Sequence, residues 1–246
     1  MRRVVIVGAT SGIGLEVAKG YIRQGWQVGI AGRRLPALEA LQALAPEKIA
    51  IQQLDVTKED APERLLQLVS RLGGMDLFLL SSGIGSQNMQ LDAAIEINTA
   101  RTNVEGFIRM VTAAFQYFQA QGGGHLAVIS SIAGTKGLGA APAYSATKRF
   151  QNTYMDALAQ LSHMKKLNIC FTDIRPGFVE TALLKDGHYP LLMKPERVAA
   201  HIISALHRQK RVVVIDCRYA VLVFFWKLIP RCLWERLPIR SGRNGS

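Results

Sequence analysis

Cysteine is scarce in this sequence of 246 residues, and long apolar runs are missing from it. Its three cysteines, Cys170, Cys217 and Cys232, have neither paired nor metal-ligand spacing. A reducing compartment follows, and we predict a cytoplasmic protein. No segment reaches the roughly 20 consecutive apolar residues that cross a bilayer. The apolar run near the N-terminus breaks at Gly8, so we interpret it as a strand rather than a signal peptide.

The sequence also lacks internal repeats and linkers rich in proline, glycine or serine, so a single domain is expected. The net charge of +12 favours an anionic partner, but no nucleic-acid recognition module is visible, and we expect neither DNA nor RNA to bind. The histidines form no ligand cluster, and we predict no metal site; they are His125, His163, His188, His201 and His207.

Short β-branched runs alternate with longer segments in which apolar residues recur every three or four positions. We predict seven strands, at residues 4–7, 27–31, 49–54, 77–81, 125–130, 168–174 and 211–215. The helical patterns lie at residues 15–24, 63–71, 101–119, 144–164 and 195–208. This alternation predicts an α/β fold with a doubly wound, mostly parallel seven-stranded sheet, in which ligands bind at the carboxyl ends of the strands.

A glycine-rich turn follows the first predicted strand and leads into a helical pattern. It reads Gly8-Ala9-Thr10-Ser11-Gly12-Ile13-Gly14. The missing side chains let the backbone approach a pyrophosphate, whose charge is stabilised by free N–H groups at the helix N-terminus. A strand before the turn and a helix after it favour nucleotide binding over a simple tight turn.

Four polar residues form the strongest functional pattern. Tyr144 and Lys148 are four apart at the start of a long helical pattern, so they share one helix face. Taken alone, this pair indicates only a half-buried tyrosine beside a surface lysine. Ser131 stands thirteen residues before Tyr144 at the end of a predicted strand, and Asn103 lies on an earlier helical pattern, with Asn98 close enough to be confused with it.

Together these motifs resemble the short-chain dehydrogenase/reductase family over about residues 3–216. The Gly-x-x-x-Gly-x-Gly spacing and the Tyr-x-x-x-Lys pair with its upstream serine carry the resemblance. It implies a Rossmann-like single domain, residues 1–216, and an oxidoreductase acting on CH–OH and C=O groups. It also implies a homodimer or homotetramer. The catalytic residues by this resemblance are Asn103, Ser131, Tyr144 and Lys148.

The end of the second predicted strand indicates which cofactor binds. An NAD enzyme usually carries an acid there to hold the ribose 2′-hydroxyl, and none is present. Arg33 and Arg34 instead offer forked donors suited to phosphate, which favours NADP(H), with Arg33 as the closer ligand. The alternative is that one of these two arginines is simply a solvated residue at the start of a helix.

The resemblance assigns further cofactor contacts along the chain. Asp55 lies near the adenine in this comparison, although a helix cap is the alternative. The family's Asn-Asn-Ala-Gly segment is replaced here by Leu80-Ser81-Ser82-Gly83, a departure that supports the alternative of a catalytically silent NADP(H)-binding sensor or scaffold. The predicted cofactor-binding residues are Gly8, Thr10, Ser11, Gly12, Ile13, Gly14, Arg33, Arg34, Asp55, Val56, Ser82, Gly83, Tyr144, Lys148, Pro176, Gly177, Val179 and Thr181.

The implied chemistry requires a proton donor, because hydride transfer to a carbonyl creates an alkoxide. Tyr144 can protonate it if the phenol pKa falls from about 10 toward neutrality. A Lys148 ammonium about 4 Å away supplies on the order of 4 kcal/mol, enough for that fall. Ser131 is expected to bind the substrate oxygen, Lys148 the cofactor ribose, and Asn103 a water that relays protons to Lys148.

Residues 182–194 lie where this family places a mobile lid, and the segment is apolar. A hydrophobic carbonyl or alcohol substrate is expected, with simple packing of the loop as the alternative. The apolar residues are Leu183, Leu184, Tyr189, Leu191, Leu192 and Met193.

The C-terminal extension, residues 217–246, is apolar at 219–226, after which basic residues alternate with leucine and tryptophan. This composition suits peripheral contact of residues 217–243 with an anionic membrane surface. A cover for the substrate pocket and a subunit contact are the alternatives.

Overall fold

The structure is a computed structural model that describes residues 2–184 and 189–239. Its seven strands form one sheet in the order β3-β2-β1-β4-β5-β6-β7, with every neighbouring pair parallel. The predicted doubly wound α/β fold is therefore confirmed. The strands are β1 (Arg3–Val7), β2 (Gln27–Gly32), β3 (Ile49–Gln53), β4 (Leu77–Leu80), β5 (Gly124–Ile129), β6 (Ile169–Arg175) and β7 (Val212–Val214).

The helices cover both faces of this sheet. Side chains alternate along β1, so Val4 and Ile6 pack into one apolar layer, and Val5 and Val7 pack into the other. Helices α1, α2, α7 and α8 close the first layer, and α3, α5 and α6 close the second. The helices are α1 (Gly12–Arg23), α2 (Leu35–Gln42), α3 (Ala61–Arg71), α4 (Ala93–Ala100), α5 (Phe107–Gln121), α6 (Pro142–Met164), α7 (Pro195–His207), α8 (Cys217–Leu228) and α9 (Arg231–Trp234).

The helical pattern predicted at residues 101–119 is interrupted in the structure. Helix α4 ends at Ala100, a π-helical turn (Arg101–Gly106) follows, and α5 begins at Phe107. A π turn adds a residue to the helical repeat, and such turns occur frequently at functional sites. Apolar periodicity did not reveal this insertion, and it also missed the short helices α2, α4, α8 and α9.

The order of the strands places the ligand-binding edge. From β1 the chain proceeds outward to β2 and β3, and then returns to β4 on the other side of β1. The crevice above the carboxyl ends of β1 and β4 is the switch point at which such sheets bind ligands. Within residues 2–184 and 189–239, none of the helices has the length and apolar character needed to span a membrane.

Candidate active site

A cavity of about 680 Å³ opens at this switch point, above the carboxyl ends of the strands. Most of the predicted site residues line it. They are Gly8, Thr10, Ser11, Gly12, Ile13, Arg33, Asp55, Val56, Ser82, Gly83, Ser131, Tyr144, Lys148, Pro176, Gly177, Val179 and Thr181. Gly14, Arg34 and Asn103 are not among the lining residues, and each has a different place in the structure.

The glycine-rich turn is held close to the end of β4. Gly8 has a φ of +94°, and a Cβ atom there would lie 2.6 Å from the Ser82 nitrogen. A side chain is therefore excluded by both conformation and space. A Cβ atom on Gly14 would lie 2.2 Å from the Gly8 carbonyl oxygen. Gly14 thus allows α1 to pack against the turn, and it is not among the lining residues; its role in cofactor binding stays a prediction.

The two arginines after β2 have different environments. Arg33 lines the cavity, as predicted for the closer phosphate ligand. Arg34 is not a lining residue, because its Nη2 atom donates a 2.8 Å hydrogen bond to the Thr10 carbonyl oxygen and thereby braces the glycine-rich turn. Of the two arginines, Arg33 is therefore the one that lines the cavity.

Asp55 also lines the cavity, and its carboxylate is held in the charged form. Burial raises the pKa of Asp55, but hydrogen bonds from the Thr57 N–H and hydroxyl and the charges of Arg33 and Lys58 outweigh it and lower the pKa. Asp55 is not a helix cap, because α3 begins at Ala61 with Asp60 as its N-cap; its bonds with Thr57 close a turn beside the cavity. Asp55 can therefore accept a hydrogen bond from a ligand while it orders its own turn.

Tyr144 and Ser131 both line the cavity, and the Ser131 side chain lies near enough to the phenol to influence its pKa. Ser131 is ordered by a bond in which its Oγ accepts from the Ala133 N–H at 3.1 Å. The ring of Tyr144 packs against Gly85, where a Cβ atom would lie 2.4 Å from the ring. Gly85 was not predicted, because nothing in the local sequence indicates the ring that covers it.

Lys148 is 4% exposed, and its ammonium is held by oxygen atoms rather than by the phenol. The Nζ atom donates to the Ile129 carbonyl at 3.2 Å and to Gln151 Oε1 at 3.0 Å. It lies 5.8 Å from the centre of the Tyr144 ring. Burial lowers the pKa of Lys148 to about 8, although the charge of Asp173 opposes this change.

The predicted fall of the Tyr144 pKa is wrong for this arrangement. Burial raises the pKa of Tyr144, and the nearby Ser131 side chain opposes the rise only in part. The Tyr144 side chain is partly buried at the cavity, and two of the Lys148 N–H groups donate to Ile129 and Gln151 rather than to the phenol oxygen. Tyr144 is consequently a neutral phenol at pH 7, which is the form that donates a proton.

Asn103 lies fully buried in the π turn, whereas Asn98 is exposed. Its side chain accepts from the Ile84 N–H at 2.9 Å, and it donates to the Ile84 carbonyl at 2.7 Å and to Thr147 Oγ1 at 3.1 Å. These bonds join the segment after β4 to α6, so Asn103 acts on the geometry of the site from outside the cavity. The Asn103 backbone carbonyl accepts from Gln151 Nε2 at 2.9 Å. The water expected at Asn103 stays a prediction.

The comparisons with known proteins agree with this geometry. Residues 2–188 match the model of the short chain dehydrogenase family. The chain belongs to this family. An uncharacterized oxidoreductase of Myxococcus xanthus is 32% identical over 242 residues, which are 95% of this chain and 95% of the relative. One of Mycobacterium tuberculosis is 28% identical over 253 residues, with 99% and 96% of the two chains covered.

A similarity to solved structures supports the fold of this short chain dehydrogenase. The structure of ElxO with NADP bound has a TM-score of 0.79 and 23% sequence identity, and the match covers 89% of this chain and 99% of ElxO. At this identity the similarity shows the shared architecture. The functional residues must therefore be assigned from the cavity of the dehydrogenase itself.

A buried charged network lies behind the cavity of the dehydrogenase and was not predicted. Asp173 on β6 is fully buried and accepts from Ser130 Oγ, from Asn152 Nδ2 at 2.9 Å and from Arg175 Nε at 2.8 Å. Ser130 precedes Ser131, and Asn152 follows Lys148 by one helical turn. Asp173 and Arg175 are two residues apart in β6, so they lie on one face of the strand. This spacing is the sequence signal that could have indicated the network.

Helix α8 joins the segment after β6 to the predicted lid. A Cβ atom on Gly177 would lie 2.3 Å from the Tyr219 ring. The Tyr219 hydroxyl accepts from the Phe178 N–H at 3.1 Å and donates to the Pro190 carbonyl at 2.8 Å. Trp226, two turns further along α8, lines the cavity. Helix α8 thus contributes Trp226 to the lining of the cavity; the role of the extension stays a prediction.

The predicted lid residues have three different environments. Leu183, Leu184 and Tyr189 line the cavity, with Leu183 also exposed at the surface; Leu191 and Leu192 are exposed and are not among the lining residues. Met193 is buried and pairs with Val179 in a parallel bridge, which fits the alternative that this residue packs the loop. Residues 185–188 of the predicted lid, including His188, lie outside the described residues.

Proposed function

We propose that this chain transfers a hydride between NADP(H) and a carbonyl or alcohol, and that carbonyl reduction is the favoured direction. The observation that carries the proposal is that Tyr144, Ser131 and Lys148 line the same cavity as the glycine-rich turn. Burial keeps the phenol protonated, so Tyr144 can donate to a substrate oxygen that gains negative charge. A silent sensor or scaffold would not require these groups to meet.

The side chains have distinct roles in this proposal. NADPH, when bound, supplies the hydride to the carbonyl carbon. Tyr144 gives its proton to the carbonyl oxygen, which completes the alcohol, and the Ser131 hydroxyl donates a second hydrogen bond to the same oxygen. Two of the three Lys148 N–H groups are used by protein oxygens. We assign the third to a ribose hydroxyl of the cofactor. Asn103 positions the segment after β4.

The lining of the cavity fits NADP(H). Gly8 and Gly12 have positive φ values and border the cavity, so the backbone can approach a pyrophosphate there. Arg33 supplies a guanidinium where the 2′-phosphate would lie. Asp55 supplies an acceptor for the adenine amino group. ElxO, with the same fold, has been solved with NADP bound.

The remaining lining favours a hydrophobic substrate. The side chains beyond Tyr144 and Ser131 are largely apolar and leave few polar partners for a charged substrate. They include Ile84, Leu138, Phe178, Leu183, Leu184, Tyr189 and Trp226. We assign the segment that contains Leu183, Leu184 and Tyr189 to substrate contact.

The outer face of α8 supports a second proposal, contact with an anionic membrane surface. Val221, Phe224, Phe225 and Leu228 are each more than half exposed and recur at helical spacing, so they form one apolar stripe. The inner face of the same helix carries Trp226 at the pocket.

Exposed basic residues accompany the stripe, among them Lys227 and Arg236. Cations beside exposed aromatic residues suit the headgroup layer of an anionic membrane. A hydrophobic substrate could then enter the pocket from the lipid surface. In this proposal, residues 217–246 form an extension. One side of its described part covers the pocket, and the other side contacts lipid. The protein itself is located in the cytoplasm. The homodimer or homotetramer stays a prediction.

Replacing Tyr144 by phenylalanine tests the reaction. Loss of the proton donor should lower kcat with NADPH and lipophilic carbonyls by at least about 100-fold. The affinity for NADPH, followed by its fluorescence, should stay within about twofold, because the ring is retained. Undiminished turnover would refute the assignment. NADPH binding by the unmodified protein without oxidation across a broad carbonyl panel would favour the silent sensor.

The two neighbouring arginines provide a matched test of cofactor choice. Arg33→Ala should weaken NADPH binding by about 10-fold or more and leave NADH binding nearly unchanged, since a charge-assisted hydrogen bond contributes about 1.5–3 kcal/mol. Arg34→Ala should affect both cofactors equally, because Arg34 bonds to the turn. Equal effects of Arg33→Ala on the two cofactors, measured by fluorescence titration, would overturn the phosphate assignment.

Sedimentation with lipid vesicles tests the outer stripe. The protein should bind phosphatidylcholine vesicles that contain phosphatidylglycerol, and Phe224→Ser combined with Phe225→Ser should weaken binding at least about 10-fold. Leu44→Ser, at an exposed site outside the extension, is the matched control. The proposal would be contradicted if the unmodified protein did not sediment with the vesicles. It would also be contradicted if light scattering showed a dimer that the double variant dissociates, because the stripe would then be a subunit contact.

A further inference from the structure

Gln151 is a buried amide that bridges two parts of the candidate active site. It lies on α6 one turn after Lys148 and is 1% exposed. Its Oε1 atom accepts from Lys148 Nζ at 3.0 Å, and its Nε2 atom donates to the Asn103 carbonyl oxygen at 2.9 Å. Both ends of the amide are therefore used, as burial requires.

This amide lies where the sequence led us to expect a water molecule. A water between the Asn103 carbonyl and Lys148 could both accept and donate protons. The Gln151 amide makes the same two contacts, but its N–H and C=O groups have fixed donor and acceptor roles at neutral pH. The amide therefore supports Lys148 by its position rather than by exchanging protons with it.

The partners of Gln151 are themselves fixed. Asn103 lies in the π turn and is tied by its side chain to both backbone groups of Ile84. The Lys148 ammonium is held on a second side by the Ile129 carbonyl. The amide thus acts as a strut of fixed length between the π turn and the ammonium.

We propose that Gln151 is a positioning residue that holds the Lys148 ammonium in place at the cavity. The inference rests on the proposed function for its catalytic consequence, whereas the effect of Gln151 on Lys148 is independent of it.

Other ionisable groups also bear on Lys148 and must be considered. Tyr144 lies on the same helix, and the carboxylate of Asp173 on β6 favours the charged ammonium. Arg175 pairs with that carboxylate at 2.6 Å. Arg101 and Glu105 of the π turn are exposed. Because variants of Gln151 leave all these residues in place, changes in Lys148 can be assigned to the amide.

Two substitutions of opposite chemistry test the proposal. Gln151→Leu removes an acceptor from the ammonium, so the alkaline limb of the kcat/KM profile should move to lower pH by about one unit. Gln151→Glu places a carboxylate beside the ammonium, so the limb should move to higher pH by a similar amount. Gln160→Leu, at an exposed position of the same helix, is the control and should shift nothing.

Lysine Cε resonances give a readout that needs no turnover. The resonance of Lys148, assigned from its loss in Lys148→Met, should titrate at lower pH in Gln151→Leu and at higher pH in Gln151→Glu. The proposal would be overturned if the Lys148 titration moved in the same direction in both variants, or did not move in either. If one variant does not fold, the direction of the shift in the other variant tests the proposal. An unmodified protein that does not oxidise NADPH would instead count against the proposed function.

Discussion

The buried ammonium of Lys148 is the constraint on which the site depends. A cation removed from water destabilises the fold unless oxygen atoms surround it. The chain supplies the carbonyl of Ile129 at the end of β5 and the amide of Gln151 on α6, with the charge of Asp173 acting from β6. Three separate elements are thereby fixed relative to one group, and the same group is directed at the cavity where a cofactor ribose would lie.

Close backbone approach creates the rest of the cavity. Gly8 and Gly14 allow the first turn to touch β4 and α1, and Gly85 accommodates the Tyr144 ring. Gly177 receives the Tyr219 ring, which brings α8 and the segment after β6 together. Each contact excludes a Cβ atom, so the positions of the site segments depend on missing side chains as much as on present ones.

The sequence predicted those features that repeat or lie close together along the chain. Alternating apolar runs predicted the strands, and the spacing of Tyr144, Lys148 and Ser131 predicted residues that the structure brings to one cavity. The strand-turn-helix context likewise placed the glycine-rich turn correctly. These signals are local, because they depend on period and spacing alone.

The features that were missed depend on contacts between distant segments. The bridge by Gln151 needs a carbonyl 48 residues away, and the role of Tyr219 needs a backbone group 41 residues away. The π turn has no apolar period of its own. The direction of the Tyr144 pKa was wrong because Coulomb attraction was considered without the dehydration that burial imposes. Pairwise spacing cannot show how much water a folded chain removes.

The pH dependence of unfolding tests the buried ammonium most directly. The pKa of Lys148 is lowered to about 8 by burial, against 10.5 for an ordinary lysine, so the unfolded chain binds more protons between these values. Stability should therefore rise with pH across that window. The unmodified protein should gain about 3 kcal/mol relative to Lys148→Met in urea titrations from pH 8 to 10.5. Parallel stability curves for the two proteins would contradict the account.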